Sequence, residues 1–111
     1  MTFTRVLAQA IVSDLDRAVT WYATLFDREP DDRPMDGLAE WHLGESMGVQ
    51  VWTDVERAGG STMVIDESDL DGLATRLEQA GVLHAGAQPA SSFRIVQLED
   101  PDGNRVVFTG A

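Results

Sequence analysis

Few side chains in this sequence could do covalent or metal chemistry. There is no cysteine, which removes thiolate nucleophiles, disulfides and cysteine metal sites together. There are two histidines, His42 and His84, in different halves of the chain. A soft transition-metal site would be short of ligands from the outset. Each histidine is read as a surface or hydrogen-bonded residue rather than a ligand or base. Carboxylates are plentiful, yet most fall on loops and at helix starts, where capping and solvation are their ordinary roles. No spacing among them marks an acid/base pair. There is no Gly-x-Ser-x-Gly elbow and no phosphate-binding glycine loop. Gly59-Gly60-Ser61 reads as a hinge.

The charge excludes one class of partner. Eight basic residues, all Arg, stand against 19 Asp plus Glu, for a net charge of −11. A nucleic-acid surface works by displacing counterions with Lys and Arg, and these Arg residues are scattered and outnumbered. The acidity therefore serves solubility or attracts a cationic ligand. The first apolar run, Val6 to Val12, is broken by Gln9 and followed by Asp14, and no run approaches a membrane span. The expected location is cytoplasmic.

The elements that must position these residues repeat. With 111 residues and 43% apolar side chains, the chain makes one ordinary globular domain. Ser13-Asp14-Leu15-Asp16 recurs 55 residues later as Ser68-Asp69-Leu70-Asp71, and the same offset pairs Tyr22 with Leu77 and Gly48 with Gly103. Asp14 and Asp69 are each placed to cap a helix. Leu15, Ala18, Val19, Tyr22, Leu25 and Phe26 form one apolar helical stripe, and Leu70, Leu73, Leu77 and Ala80 another. Trp21 lies beside the first stripe and is expected to be partly exposed. Gly81 suits the left-handed position after the second helix. Strands are expected over 3–12, 38–43, 47–53, 61–66, 82–88, 93–99 and 104–109, with a short edge strand near Glu29. Asp100-Pro101-Asp102-Gly103 is a turn. The plan is βαβββ twice: module one about 1–57, module two about 60–111.

In this order and spacing the chain resembles the vicinal oxygen chelate superfamily, which groups glyoxalase I, bleomycin-resistance proteins and extradiol dioxygenases. The resemblance rests on Ser13-Asp14-Leu15-Asp16-Arg17-Ala18-Val19-Thr20-Trp21-Tyr22, on Leu77-Glu78-Gln79-Ala80-Gly81, and on Glu99-Asp100-Pro101-Asp102-Gly103-Asn104-Arg105 before the last strand. It covers nearly the whole chain. It implies an α+β fold in which the two modules form a curved, half-open eight-stranded sheet, with one helix per module on the convex face and a ligand cavity on the concave one. It also implies a homodimer.

The enzymes of that family hold a divalent metal with His, Glu or Gln from four strands. The resemblance places those positions at Leu7, at Thr62, at Val107, and at Gln50 or, by the strict 55-residue offset, Trp52. Of these only Gln50 could ligate, whereas a catalytic site needs about three protein ligands. No metal and no cofactor is therefore expected. With Leu7 facing the cavity, alternation along the strands gives a lining of Leu7, Gln9, His42, Gln50, Trp52, Thr62, Gln97, Arg105 and Val107. That mixture suits an organic molecule better than a bare ion, and Trp52 offers a stacking surface. The expected function is metal-free binding of a small organic molecule by a homodimer, of the bleomycin-resistance type or for a small metabolite, the molecule being cationic if the acidity serves the ligand. The alternative is a metal-dependent lyase, isomerase or dioxygenase, for which Gln50, His42 and Glu40 are the visible supports.

Overall fold

The computed structural model describes residues 1–82 and 84–111. Its elements are β1 (Val6–Val12), α1 (Leu15–Phe26), β2 (Leu38–Gly44), β3 (Met47–Thr53), β4 (Thr62–Asp66), α2 (Leu70–Gln79), β5 (Gln88–Ala90), β6 (Phe93–Glu99) and β7 (Arg105–Gly110). They form two mixed sheets, β1-β3-β2 and β4-β7-β6-β5. In each, the strand before the helix pairs in parallel with the last strand of its half, Val6 beside Met47 and Thr62 beside Arg105. The two-module plan is thus present in the described residues, with seven strands.

The differences from expectation have local causes. The edge strand expected near Glu29 is reduced to one bridge, Asp32 to Glu40. Pro30 and Pro34 remove donors on either side of it. The strand expected over 82–88 includes Leu83, which lies outside the described residues. Its flanks carry no strand, and pairing begins at Gln88. Gly86, at φ +83, and the Gly86 N–H bond to His84 Nδ1 turn the chain there. Residues 3–5 stay outside β1 because β3 begins opposite Val6 and offers them no partner. Ala80 is the exposed C-cap that follows α2 rather than part of its buried stripe. Gly48 and Gly103 are not equivalent: Gly48 is buried in β3, while Gly103 is a turn residue at φ +91.

Both helices begin as the repeat requires. The carboxylate of Asp14 accepts from Arg17 N–H, and that of Asp69 from Gly72 N–H. Each cap is worth about 1 kcal/mol. The stripes then bury Ala18, Val19, Tyr22 and Leu25 on α1, and Leu70, Leu73 and Leu77 on α2. These join one core with the helix-facing side chains of both sheets, among them Val12, Val49, Val51, Val96, Val106 and Phe108. Trp41 is fully buried, its ring 6.1 Å from Tyr22 and 5.8 Å from Phe26, and its indole N–H donates to Arg28 O at 2.8 Å. Burying an aromatic of this size contributes roughly 5 kcal/mol before entropy. Trp21 is half-buried, edge-on to Tyr22. No described helix is long and apolar enough to cross a membrane.

The halves are joined by a buried polar knot at the 100–104 turn. Asp100 is 5% exposed and Asn104 fully buried. The Asp100 carboxylate accepts from Tyr22 Oη (2.8 Å), Asn104 Nδ2 (2.7 Å), Asn104 N–H and Asp102 N–H. Burial and the adjacent Asp100 push the Tyr22 phenol far up, so it stays a donor. Asn104 also donates to Ile11 O and accepts from Ser61 N–H, both at 2.8 Å. The Asp102 carboxylate takes Ser13 N–H and Ser13 Oγ. On the helix side, Arg76 of α2 donates to Thr24 O and Leu25 O, which closes the C-terminal end of α1. We predict that Asn104→Ala, which strands Ser61 N–H and takes one of two donors from both Ile11 O and Asp100 Oδ2, lowers unfolding stability by about 3 kcal/mol in urea. Tyr22→Phe, which takes one of the two donors from Asp100 Oδ2 and strands nothing, should cost about half as much.

Candidate functional site

Each sheet packs a helix on one face and leaves the other face free of helices. The alternation places the expected lining residues on these free faces. On the first sheet the register sets them in three rows across the strands: Ile11, Trp52 and Leu38; Gln9, Gln50 and Glu40; Leu7, Gly48 and His42. Gly48 is required there, since a Cβ would lie 2.5 Å from Trp41 O and 2.7 Å from Leu7 Cδ2. Leu7 therefore leans across the gap in its own row.

The middle row is linked from strand to strand. Gln9 Nε2 donates to Gln50 Oε1 at 3.2 Å, and Gln50 Nε2 donates to Glu40 Oε2 at 2.6 Å. The other oxygen of Glu40 meets His42 Nε2 at 3.0 Å. A carboxylate only accepts, so that imidazole nitrogen carries the hydrogen. Glu40 is 5% exposed. The hydrogen bond from Gln50, then that from His42, holds its carboxyl below the usual range against the opposing effect of burial. Asp31 braces the same edge from the preceding loop, where its carboxylate accepts His42 N–H at 2.7 Å and pairs with Arg28 at 2.5 Å. The His42 N–H, and after it Arg28, keeps Asp31 low as well.

The second sheet presents Thr62, Arg105 and Glu99 in one row, Val64, Val107 and Gln97 in the next, and Asp66, Thr109 and Ile95 in the third. Arg105 Nη2 donates to Gln97 Oε1 at 2.9 Å, and Thr109 Oγ1 donates to Asp66. Val64 is 64% and Phe93 43% exposed, and with Asp66 and Thr109 they line a groove of about 640 Å³.

The nine expected residues therefore fall into two sets. Leu7, Gln9, His42, Gln50 and Trp52 share one sheet face, and Thr62, Gln97, Arg105 and Val107 share the other. No hydrogen bond among the described residues links the two sets. The expected list omits Glu40, the centre of the first set, although alternation puts it beside His42. It also omits Phe93, whose exposed ring no periodicity marks. His84 belongs to neither face; its Nδ1 accepts Gly86 N–H in the loop before β5.

The donor set does not fit a divalent metal. Leu7 lies opposite Gly48 and Thr62 opposite Arg105, so the pairing makes Gln50, not Trp52, the counterpart of Val107. Leu7 and Val107 carry no donor atom, and Thr62 offers a neutral hydroxyl. The Gln50 amide is already bound at both ends. Among the described residues no three His, Asp or Glu side chains converge as ligands. What the first face offers instead is directional hydrogen bonding beside apolar surface.

A family model described as the glyoxalase/bleomycin resistance protein/dioxygenase superfamily matches residues 4–108. No curated protein matches the sequence. Among solved structures the chain is similar to a glyoxalase/bleomycin resistance protein from Catenulispora acidiphila DSM 44928, with a TM-score of 0.88, 29% identity, and coverage of 96% of this chain and 97% of that one. An antibiotic-binding protein from Streptomyces sp. CB03234 follows at TM-score 0.81 and 22% identity, covering 99% and 98%. A bleomycin-binding protein, solved with bleomycin, superposes at TM-score 0.82 with 13% identity over 96% and 98%. At these identities the last two matches speak for the fold alone.

The buried carboxylate gives this face a pH signature. The folded-state pKa of Glu40 lies below its unfolded value, so its contribution is full above the ordinary carboxylate range and is lost as pH falls through the folded pKa. Urea midpoints measured from neutral pH down to about pH 3 should fall more steeply for the native chain than for Glu40→Gln.

Proposed function

The chain belongs to the glyoxalase/bleomycin resistance protein/dioxygenase superfamily, and from that premise we propose that it is a metal-free binding protein for a small organic cation. The observation that carries this reading is the donor set: three of the four positions where the family's enzymes hold a metal are Leu7, Thr62 and Val107. The fold is kept where the means of metal catalysis is missing. The free sheet faces carry hydrogen-bonding groups and an indole in place of ligands, the mixture that organic ligands select. The net charge of −11 supports a cationic ligand. The similar structures described as antibiotic-binding and bleomycin-binding proteins make a drug-like molecule a natural candidate.

The same proposal makes the protein a homodimer. The two sets of lining residues sit on separate faces of one chain, and a second copy could bring the first face of one chain against the second face of the other. Exposed Val64 and Phe93 support a covered surface there. A cytoplasmic location is part of the reading, on the lack of cysteine. Neither nucleic acid nor membrane is a proposed partner.

The test is direct. Purified protein should carry no stoichiometric divalent metal and should elute at about twice 12.1 kDa. Titration with bleomycin should quench tryptophan fluorescence saturably, and Trp52→Ala should remove most of that signal. Stoichiometric metal together with turnover of a glutathione hemithioacetal would sink the binding reading. A 12.1 kDa species at micromolar concentration would sink the dimer.

A further inference from the structure

The reading above leaves open what the first sheet face selects, and the inference here rests on that reading. We propose that the chain Gln9–Gln50–Glu40–His42 is a directional recognition element that selects ligands carrying an N–H donor, with Gln9 Oε1 as the contact atom and Glu40 as the positioning residue.

The direction follows from one fact about carboxylates. Glu40 can only accept, so Gln50 must turn its amide nitrogen toward it. That leaves Gln50 Oε1 to face β1, and Gln9 must answer with its own nitrogen. The remaining oxygen, Gln9 Oε1, ends the series on an exposed side chain without a protein partner among the described residues. Two amides that would otherwise be free to flip are thus locked with an acceptor outward. Hydrogen bonds in series polarise one another, so negative charge on Glu40 strengthens that terminal acceptor.

The charges around the series favour a cation as the donor. Among the described residues no guanidinium is bonded to the buried carboxylate. His42 touches it from β2, and Arg5 lies near enough only for a long-range effect. Asp31, on the loop packed against β2, adds a second carboxylate, and Arg28 is already committed to it. There is no lysine in the chain. An anionic ligand would meet two carboxylates offset only by Arg5 at long range. The neighbouring row, with Trp52 at its centre, lies two residues along each strand, about 7 Å away.

The probes are benzylammonium, benzyltrimethylammonium and benzoate, titrated into the full chain by NMR with the side-chain amide signals of Gln9 and Gln50 assigned. Benzylammonium should bind at least ~10-fold tighter than either other probe, a difference of about 1.4 kcal/mol, and should shift both amide signals. Gln9→Leu, at an exposed position, should bring the primary-to-quaternary ratio close to one. Glu40→Gln should do the same while the Trp52 signal still responds to the quaternary probe, a change that loss of structure alone would not produce. A native ratio near one, or a ratio that survives in Gln9→Leu, overturns the inference. If both cations bind equally well, the cation reading stands and this inference falls. If none of the three saturates, the inference falls and the cation reading loses its support with it.

Discussion

The carboxylate of Asp100 is removed from water at the seam between the two halves, and it is tolerable there only because four donors meet it. An unpaired carboxylate in that position would cost several kcal/mol. Its partners come from α1, from its own turn and from Asn104, which in turn reaches β1 and the start of β4. Satisfying one buried charge therefore fixes where the first helix, the first strand and the second module stand relative to one another. The apolar core supplies most of the driving force but is not directional. The knot supplies the direction.

That fixed seam lets the free faces vary. Strand register, not side-chain identity, sets which residues share a row. Leu7, Thr62 and Val107 keep their rows through backbone pairing, whatever their side chains carry. The same register brings Gln9, Gln50 and Glu40 into line as one hydrogen-bonded series. Burying Glu40 would be unfavourable without Gln50 and His42. Its charge thus ties three strands together at their exposed face and leaves the outermost amide facing solvent.

Much of this was legible beforehand, and the unread parts share a cause. The helix caps, the apolar stripes and the hairpins are set by residues within a few positions of one another, and apart from Ala80 they stand where periodicity and turn chemistry put them. Alternation was enough to place Gln9, Gln50 and His42 on one face. Asp100-Pro101-Asp102-Gly103 was readable as a turn, whereas its role as the joint was not. The residues it binds, Tyr22, Ser13 and Ile11, are 78 to 93 positions away from their partners. The significance of Glu40 was hidden similarly, because it depends on how β2 registers against β3. The eighth strand dissolved into one bridge between two prolines, where donor supply overrides pattern.

Gly59 carries a consequence of its own. It sits at φ +91 with its N–H on Ile11 O, and a Cβ there would come within 2.4 Å of Asp102 O. The stretch between the halves is therefore not a tether whose length and composition can drift. It is wedged against the turn that closes the seam. If the halves descend from one duplicated unit, their tolerance of mutation has since diverged. The first-half hairpin at Glu45-Ser46 faces solvent and can absorb change. Its second-half counterpart and the glycine it presses on cannot, since a side chain at Gly59 would collide with the Asp102 carbonyl.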